Sequence, residues 1–223
     1  MNSSLKAVLL DLDGTLLDTA PDFAFIINFM LQKYDRPTIG YAQFRQSVSD
    51  GARGMIQMAF ACGDDDPQFE ALREEFLSLY TQHIADHTEL FPGMAELLQY
   101  IEGAGLSWGV VTNKASVYAV PLMQAMSLSP RCTTLVCPDH VAHRKPDPEA
   151  LQLACRQIGC DTNEAIYIGD HRRDIEAGRN AGMSTIACSY GYVHGDDPCE
   201  NWGAEFIVHD PRQIITILQQ WMG

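Results

Sequence analysis

Asp11 and Asp13 stand two residues apart in "DLDGTLLDTA", directly behind the apolar run "AVLL". Carboxylates this close repel each other, so the pair is either a solvated turn or a site with a use for both. Other apolar runs end in the same way. Thr112 and Asn113, with Lys114 next, follow "GVV". Asp170 closes "AIYIGD", and Asp174 comes four residues later. Lys145 sits in "HRKPDPE", just ahead of a helix start. Taken singly, each has an ordinary reading as a helix cap, a strand-end turn or a loop lysine. Gathered at one edge, three carboxylates, a hydroxyl and a lysine make a hard-cation and phosphate site. Oxygen donors without His or Cys favour magnesium over zinc.

Whether they gather depends on the elements that carry them. "KAVLLDLDG", "SWGVVTNK", "TTLVCPDH", "EAIYIGDH", "MSTIACSYG" and "AEFIVHD" are near-continuous apolar runs rather than alternating ones. That is the pattern of parallel strands covered on both faces. Helical patterns lie between them, with proline near their starts and glycine past their ends, as in "PGMAELLQYIEGAG" and "DPEALQLACRQIG". The alternation predicts an α/β fold with a doubly wound parallel sheet. Ligands in such sheets bind beyond the carboxyl ends of the strands, where all of these polar residues fall. From about Pro21 to His87 no strand-like run occurs. "FEALREEFLSLYTQHIADH" places Phe69, Leu72, Phe76, Leu79, Tyr80 and His83 on one stripe. The division is therefore a core of residues 1–19 and 88–223 with an inserted all-helical segment, 20–87, lying over the strand mouth as a lid.

The chain has 223 residues, 15 basic and 29 acidic, for a net charge of −14. That argues against nucleic acid or an anionic membrane as a partner. An anionic substrate would then need local positive charge, which a cation and Lys145 would supply. The chain's start, "MNSSLKAVLLDLDG", runs straight into aspartates and is not a secretion signal. Seven cysteines without a CxxC pair read as reduced, mostly buried thiols in a cytoplasmic protein.

The ordered motifs "DLDGTLLDT", "VVTNK", "RKPDPE" and "IGDHRRD" resemble those of the haloacid dehalogenase superfamily, along essentially the whole chain. The helical segment resembles the helical cap of its phosphoglycolate phosphatase-like group. The resemblance implies a magnesium-dependent phosphomonoester hydrolase that works through an aspartyl-phosphate. Carried over, Asp11 is the nucleophile and Asp13 the general acid/base. Thr112 and Asn113 bind the phosphoryl group, and Lys145 neutralises it and orients Asp11. Magnesium is held by Asp11, the backbone carbonyl of Asp13 and Asp170, with Asp174 supporting. The second aspartate argues against a dehalogenase, because an alkoxide leaving group needs a proton and a halide does not.

The substrate class implied is a small phosphorylated metabolite. "VCPDHV" and "YGYVHGDDPCENWGAEFIV" resemble a branch that acts on N-acetylmuramic acid 6-phosphate, with phosphoglycolate as the alternative. A phosphomutase or a receiver-like phospho-switch would share parts of the motif set. Arg53 is the basic residue of the turn-like stretch "SVSDGARGM" and the expected clamp for a second anion, or else a solvated helix-start arginine. "HRR", His171 to Arg173, either lines the entrance or forms a charged loop.

Overall fold

The computed structural model describes residues 5–222. Strand β1 (Ala7–Leu10) leads to a two-residue strand, β2 (Leu17–Asp18). Helices α1 (Ala20–Lys33), α2 (Tyr41–Arg45), α3 (Gly51–Phe60) and α4 (Phe69–Gln82) follow, and β3 (Glu89–Leu90) receives the chain on its return. Strand and helix then alternate through α5 (Met94–Gly103), β4 (Ser107–Val111), α6 (Ser116–Ala125), β5 (Thr134–Val136), α7 (Glu149–Ile158), β6 (Ala165–Gly169), α8 (Arg172–Asn180) and β7 (Ser184–Cys188). The last elements are β8 (Phe206–Val208) and α9 (Pro211–Met222).

Six strands form one sheet in the order β5-β4-β1-β6-β7-β8, every neighbouring pair parallel. β1 and β6 are buried at every residue, which is why their sequences carry no alternation. Successive β1 side chains face opposite layers. Val8 and Leu10 pack in a cluster with Leu97 and Leu98 of α5 and Ile214 and Leu218 of α9. Ala7 and Leu9 pack with Leu151 and Ala154 of α7 and Ala177 of α8. The α/β expectation therefore holds.

The stretch from α1 to α4 is helical, as its spacing predicts. Phe69, Leu72, Phe76 and Tyr80 of α4 are buried, while Leu79 and His83 at the edge of the stripe are half-buried. Phe23 of α1 closes the contact, with ring centroids 6.0 Å from Phe76 and 4.8 Å from Tyr80. The outgoing and returning chains pair as a short antiparallel ribbon, Leu17 opposite Leu90 and Asp18 opposite Glu89. Two residues per strand are too few to leave a periodic signal, so the sequence carried no hint of this ribbon. Buried Asp22 ties the return, accepting the His87 N–H and the Thr88 hydroxyl at 2.6 Å each. All seven cysteines are free thiols, and four of them are buried. Among the described residues no helix is long and apolar enough to cross a membrane.

Candidate active site

The parallel register brings the polar residues together. Leu10 pairs with Val110 on one side and Ile168 on the other, so Asp11, Thr112 and Asp170 emerge side by side beyond the three central strands. Asp11, Asp170 and Asp174 each hold a carboxylate oxygen within 4.8 Å of the others, and all three residues are buried. Burial pushes the Asp11 carboxyl up to about 6, with Lys145 opposing and the Asp174 charge adding. Burial, and after it the charges of Asp11 and Asp174, pushes Asp170 up to about 8.

Lys145 is the counter-charge. Its ammonium lies 2.9 Å from Asp11 Oδ1 and 2.7 Å from Asp174 Oδ1. It also donates to the Val111 carbonyl at 2.9 Å and the Tyr167 hydroxyl at 2.7 Å. Burial works against the charge, but Asp11 and Asp174 more than offset it and hold the ammonium above the usual lysine range. One ammonium against three buried carboxylates leaves surplus negative charge on an all-oxygen donor set. A hard divalent cation of the magnesium type fits that set.

Asp170 is oriented from three sides. The Thr15 hydroxyl donates to Oδ1 at 2.9 Å, and the Tyr192 N–H donates to Oδ2 at 2.8 Å. Gly14 closes over it with φ +87°, and a Cβ there would run into the Asp170 carboxylate. The glycine in "DLDGT" is thus required twice, by its left-handed backbone and by the close approach. Asp174 is fixed at the start of α8, where its Oδ2 accepts the His171 N–H at 3.1 Å. Thr112 accepts the Lys114 N–H at 3.1 Å through its hydroxyl oxygen, which leaves the hydroxyl proton to donate. Asn113 donates to the Lys145 carbonyl at 3.1 Å, and its Oδ1 is buried without a partner.

Asp13 points to the side of the helical segment. Its Oδ1 accepts the Thr19 hydroxyl at 2.7 Å and the Lys114 ammonium at 2.9 Å. Lys114 itself sits over the rings of Tyr80, 4.6 Å from the centroid, and Phe23, 4.9 Å away.

A cavity of about 680 Å³ lies between the strand mouth and helices α1, α3 and α4. Asp11, Asp13 and Asp170 form its floor; Phe23, Met55, Phe76 and Tyr80 line its walls. Its arginines are Arg53, Arg73, Arg144 and Arg173. Arg53 does reach this cavity, but its guanidinium is turned to Asp64, which also accepts from Gln57, and its side chain is 65% exposed. Arg173 donates to the Ser49 carbonyl at 2.7 Å, while its Nε is buried without a partner. Of "HRR" only Arg173 lines the cavity. Arg172 pairs with Asp197, and the His171 ring stacks beside Trp202 at 6.3 Å.

The profile of the haloacid dehalogenase-like hydrolase family matches residues 8–188. The chain belongs to that family. A relative from Pseudomonas aeruginosa, an N-acetylmuramic acid 6-phosphate phosphatase, is 50% identical over 216 residues, covering 97% of this chain and 96% of the relative. A phosphoglycolate phosphatase of Xanthomonas campestris pv. campestris is 42% identical over 209 residues, 94% of each chain. The crystal structure of a predicted phosphoglycolate phosphatase from Haemophilus somnus superposes with a TM-score of 0.85 at 23% identity, covering 96% of this chain and 98% of the other. That likeness shows a shared fold.

Three groups of this hydrolase's site escaped the sequence reading. Tyr167 lies in the middle of a buried strand, and the one signal was a hydroxyl among aliphatic residues in "AIYIG". Lys114 followed Thr112 and Asn113 but gave no sign of turning back to Asp13. Tyr192 reaches the site from a loop 22 residues beyond Asp170 through its backbone N–H, which no side-chain pattern can announce.

Proposed function

We propose that this hydrolase cleaves a phosphomonoester of a carboxylate-bearing amino sugar, N-acetylmuramic acid 6-phosphate, through an aspartyl-phosphate. The observation that carries the reading is the cavity. It opens onto Asp11 and Asp13, is lined by apolar and aromatic side chains, and at about 680 Å³ it suits a sugar phosphate. A two-carbon ester such as phosphoglycolate would leave most of it empty. The relative named for the muramic acid phosphate is also the more similar of the two reported, at 50% against 42% identity.

In this reading an Asp11 oxygen attacks phosphorus and the bond to the sugar oxygen breaks. Asp13 gives its proton to the departing alkoxide. Asp13 then takes a proton from the water that hydrolyses the acyl phosphate, and inorganic phosphate leaves. Lys145 holds Asp11 in place and neutralises a phosphoryl oxygen, while the Thr112 hydroxyl and the Asn113 amide direct the others. Asp11, Asp170 and the Asp13 carbonyl, with Asp174 in support, would hold magnesium, which when bound offsets phosphoryl charge. We take residues 20–87 as a cap domain over a core of 1–19 and 88–223. Its helices furnish much of the cavity wall, which supports a part in substrate choice. The free cysteines support a reducing, cytoplasmic setting.

For the second anion of the substrate, Arg53 would first have to leave Asp64, whereas Arg173 already has a buried donor without a partner. Both belong to the proposed site, with Arg173 the better prepared. Phosphoglycolate is the second reading, favoured by the name of the 42% identical relative. Phosphate release from N-acetylmuramic acid 6-phosphate, N-acetylglucosamine 6-phosphate and phosphoglycolate tests both. The first should be cleaved best. Equal cleavage of the two sugars would mean that the lactyl carboxylate is not read, and a preference for phosphoglycolate would establish the alternative.

A further inference from the structure

Lys114 joins the strand mouth to the helices above it. Its side chain is only 8% exposed, yet it carries a charge. On one side its ammonium meets Asp13 Oδ1 at 2.9 Å. On the other it rests against two rings that belong to different helices, Phe23 of α1 and Tyr80 of α4, with centroids 4.9 and 4.6 Å away. Those rings pack on each other at 4.8 Å, and Tyr80 leans on Tyr118 of α6 at 5.7 Å. A lysine head is compact and strongly hydrated, so burying one takes a carboxylate, ring faces or both. Here both are present, and the ring faces come from the helical segment.

The consequence falls on Asp13. Lys114 and the Thr19 hydroxyl both donate to the same oxygen, Oδ1, at 2.9 and 2.7 Å. Among the described residues no hydrogen bond reaches Oδ2. Two donors on one oxygen fix the rotamer of the carboxyl group and leave the other oxygen free to exchange a proton with the leaving group. We propose that Lys114 is the positioning residue for Asp13, and that the faces of Phe23 and Tyr80 set its position. Asp13 is then aimed at the leaving oxygen only while α1 and α4 cover the strand mouth. This rests on the reading of Asp13 as proton donor.

The test compares an alkyl phosphate, a sugar 6-phosphate, with p-nitrophenyl phosphate, whose leaving group needs little protonation. Lys114→Met keeps the length of the stem and removes its charge. It should lower kcat on the sugar phosphate at least about tenfold more than kcat on the aryl phosphate, with KM within about threefold of wild type. Tyr80→Leu keeps the charge and removes a ring, and should show a smaller split in the same direction. Adding Lys114→Met to Asp13→Asn should enlarge the split of the single Asp13→Asn variant no further. Equal losses on both substrates, or a raised KM with kcat unchanged, would overturn the proposal and make Lys114 a phosphate-binding or structural lysine. A split for Lys114→Met with none for Tyr80→Leu would remove the aromatic faces from it. If Lys114→Met fails to fold by circular dichroism, Tyr80→Leu decides, and no split there overturns the proposal. If Asp13→Asn itself shows no split, the proton-donor reading fails; if it does and neither other variant does, only the role of Lys114 fails.

Discussion

The Lys145 ammonium lies 2.7 Å from Asp174 Oδ1, and the two side chains are 1% and 0% exposed. The contact couples a loop ahead of α7 to the first turn of α8 beneath the strand mouth. Lys145 is also the cation of Asp11, so one ammonium neutralises carboxylates from two elements. Removing one partner of a buried pair leaves the other charge without compensation.

Lys145→Met should therefore destabilise the fold in EDTA by about 3–5 kcal/mol and eliminate turnover. Urea denaturation measures the first and phosphate release the second. An unchanged denaturation midpoint would show that the carboxylates share their charge elsewhere.

Asp11→Asn should abolish turnover and yet stabilise the protein at pH 8 in EDTA. At that pH Asp11 is ionised against its surroundings, because its folded value is raised to about 6. A neutral amide of the same shape removes that cost. A gain on the order of 1 kcal/mol, or a few degrees in Tm, is expected. At pH 5 the gain should be about half as large, since the unfolded carboxyl is already ionised there while the folded one is protonated, and it should vanish only below about pH 4. A gain equal at both pH values would remove Asp11 ionisation as its cause.

Magnesium should stabilise the protein more at pH 8 than at pH 5. Asp11 and Asp170 rise from 3.8 in the unfolded chain to about 6 and about 8 in the fold. Between those values the folded state binds more protons than the unfolded state, so stability without metal falls as pH rises from about 4 to about 8. The cation needs the deprotonated carboxylates and competes with those protons. At pH 8 and a hundredfold excess over Kd the stabilisation should approach about 2.7 kcal/mol. Thermal melts with and without magnesium at both pH values measure the difference. His171, held down near 4 by burial and then Arg173, enters both melts equally and cancels. A magnesium-induced shift that does not grow with pH would exclude these carboxylates as the site.

Arg173→Gln should lower kcat/KM for N-acetylmuramic acid 6-phosphate by about 30-fold or more, with a much smaller loss for N-acetylglucosamine 6-phosphate. Arg53→Ala should give the smaller loss of discrimination, because its guanidinium is already paired with Asp64. The reverse ranking would return the clamp to Arg53. Equal slowing of both sugars by Arg173→Gln would assign it to holding Ser49 and the turn around it.

The sequence by itself determined the sheet and its chemical edge. Buried parallel strands read as unbroken apolar runs, and each run stops where a polar residue must emerge, so Asp11, Thr112 and Asp170 could be placed on one edge before any contact was known. The helices announced themselves through period and punctuation, as with Phe69, Leu72, Phe76 and Tyr80 of α4. What the tertiary structure decided was pairing. The letters singled out Arg53 as the clamp and left Arg173 in a charged loop or an entrance lining, yet Arg53 is bound to Asp64 and Arg173 keeps a buried donor without a partner. Lys114 became a partner of Asp13 only because β4 lies beside β1 and two aromatic side chains from distant helices close over it. Tyr192 holds Asp170 through a backbone N–H that every residue but proline possesses. Periodicity reports which face of an element is buried. Which charge meets which depends on distances between segments far apart in the chain, and those exist only once the chain has folded.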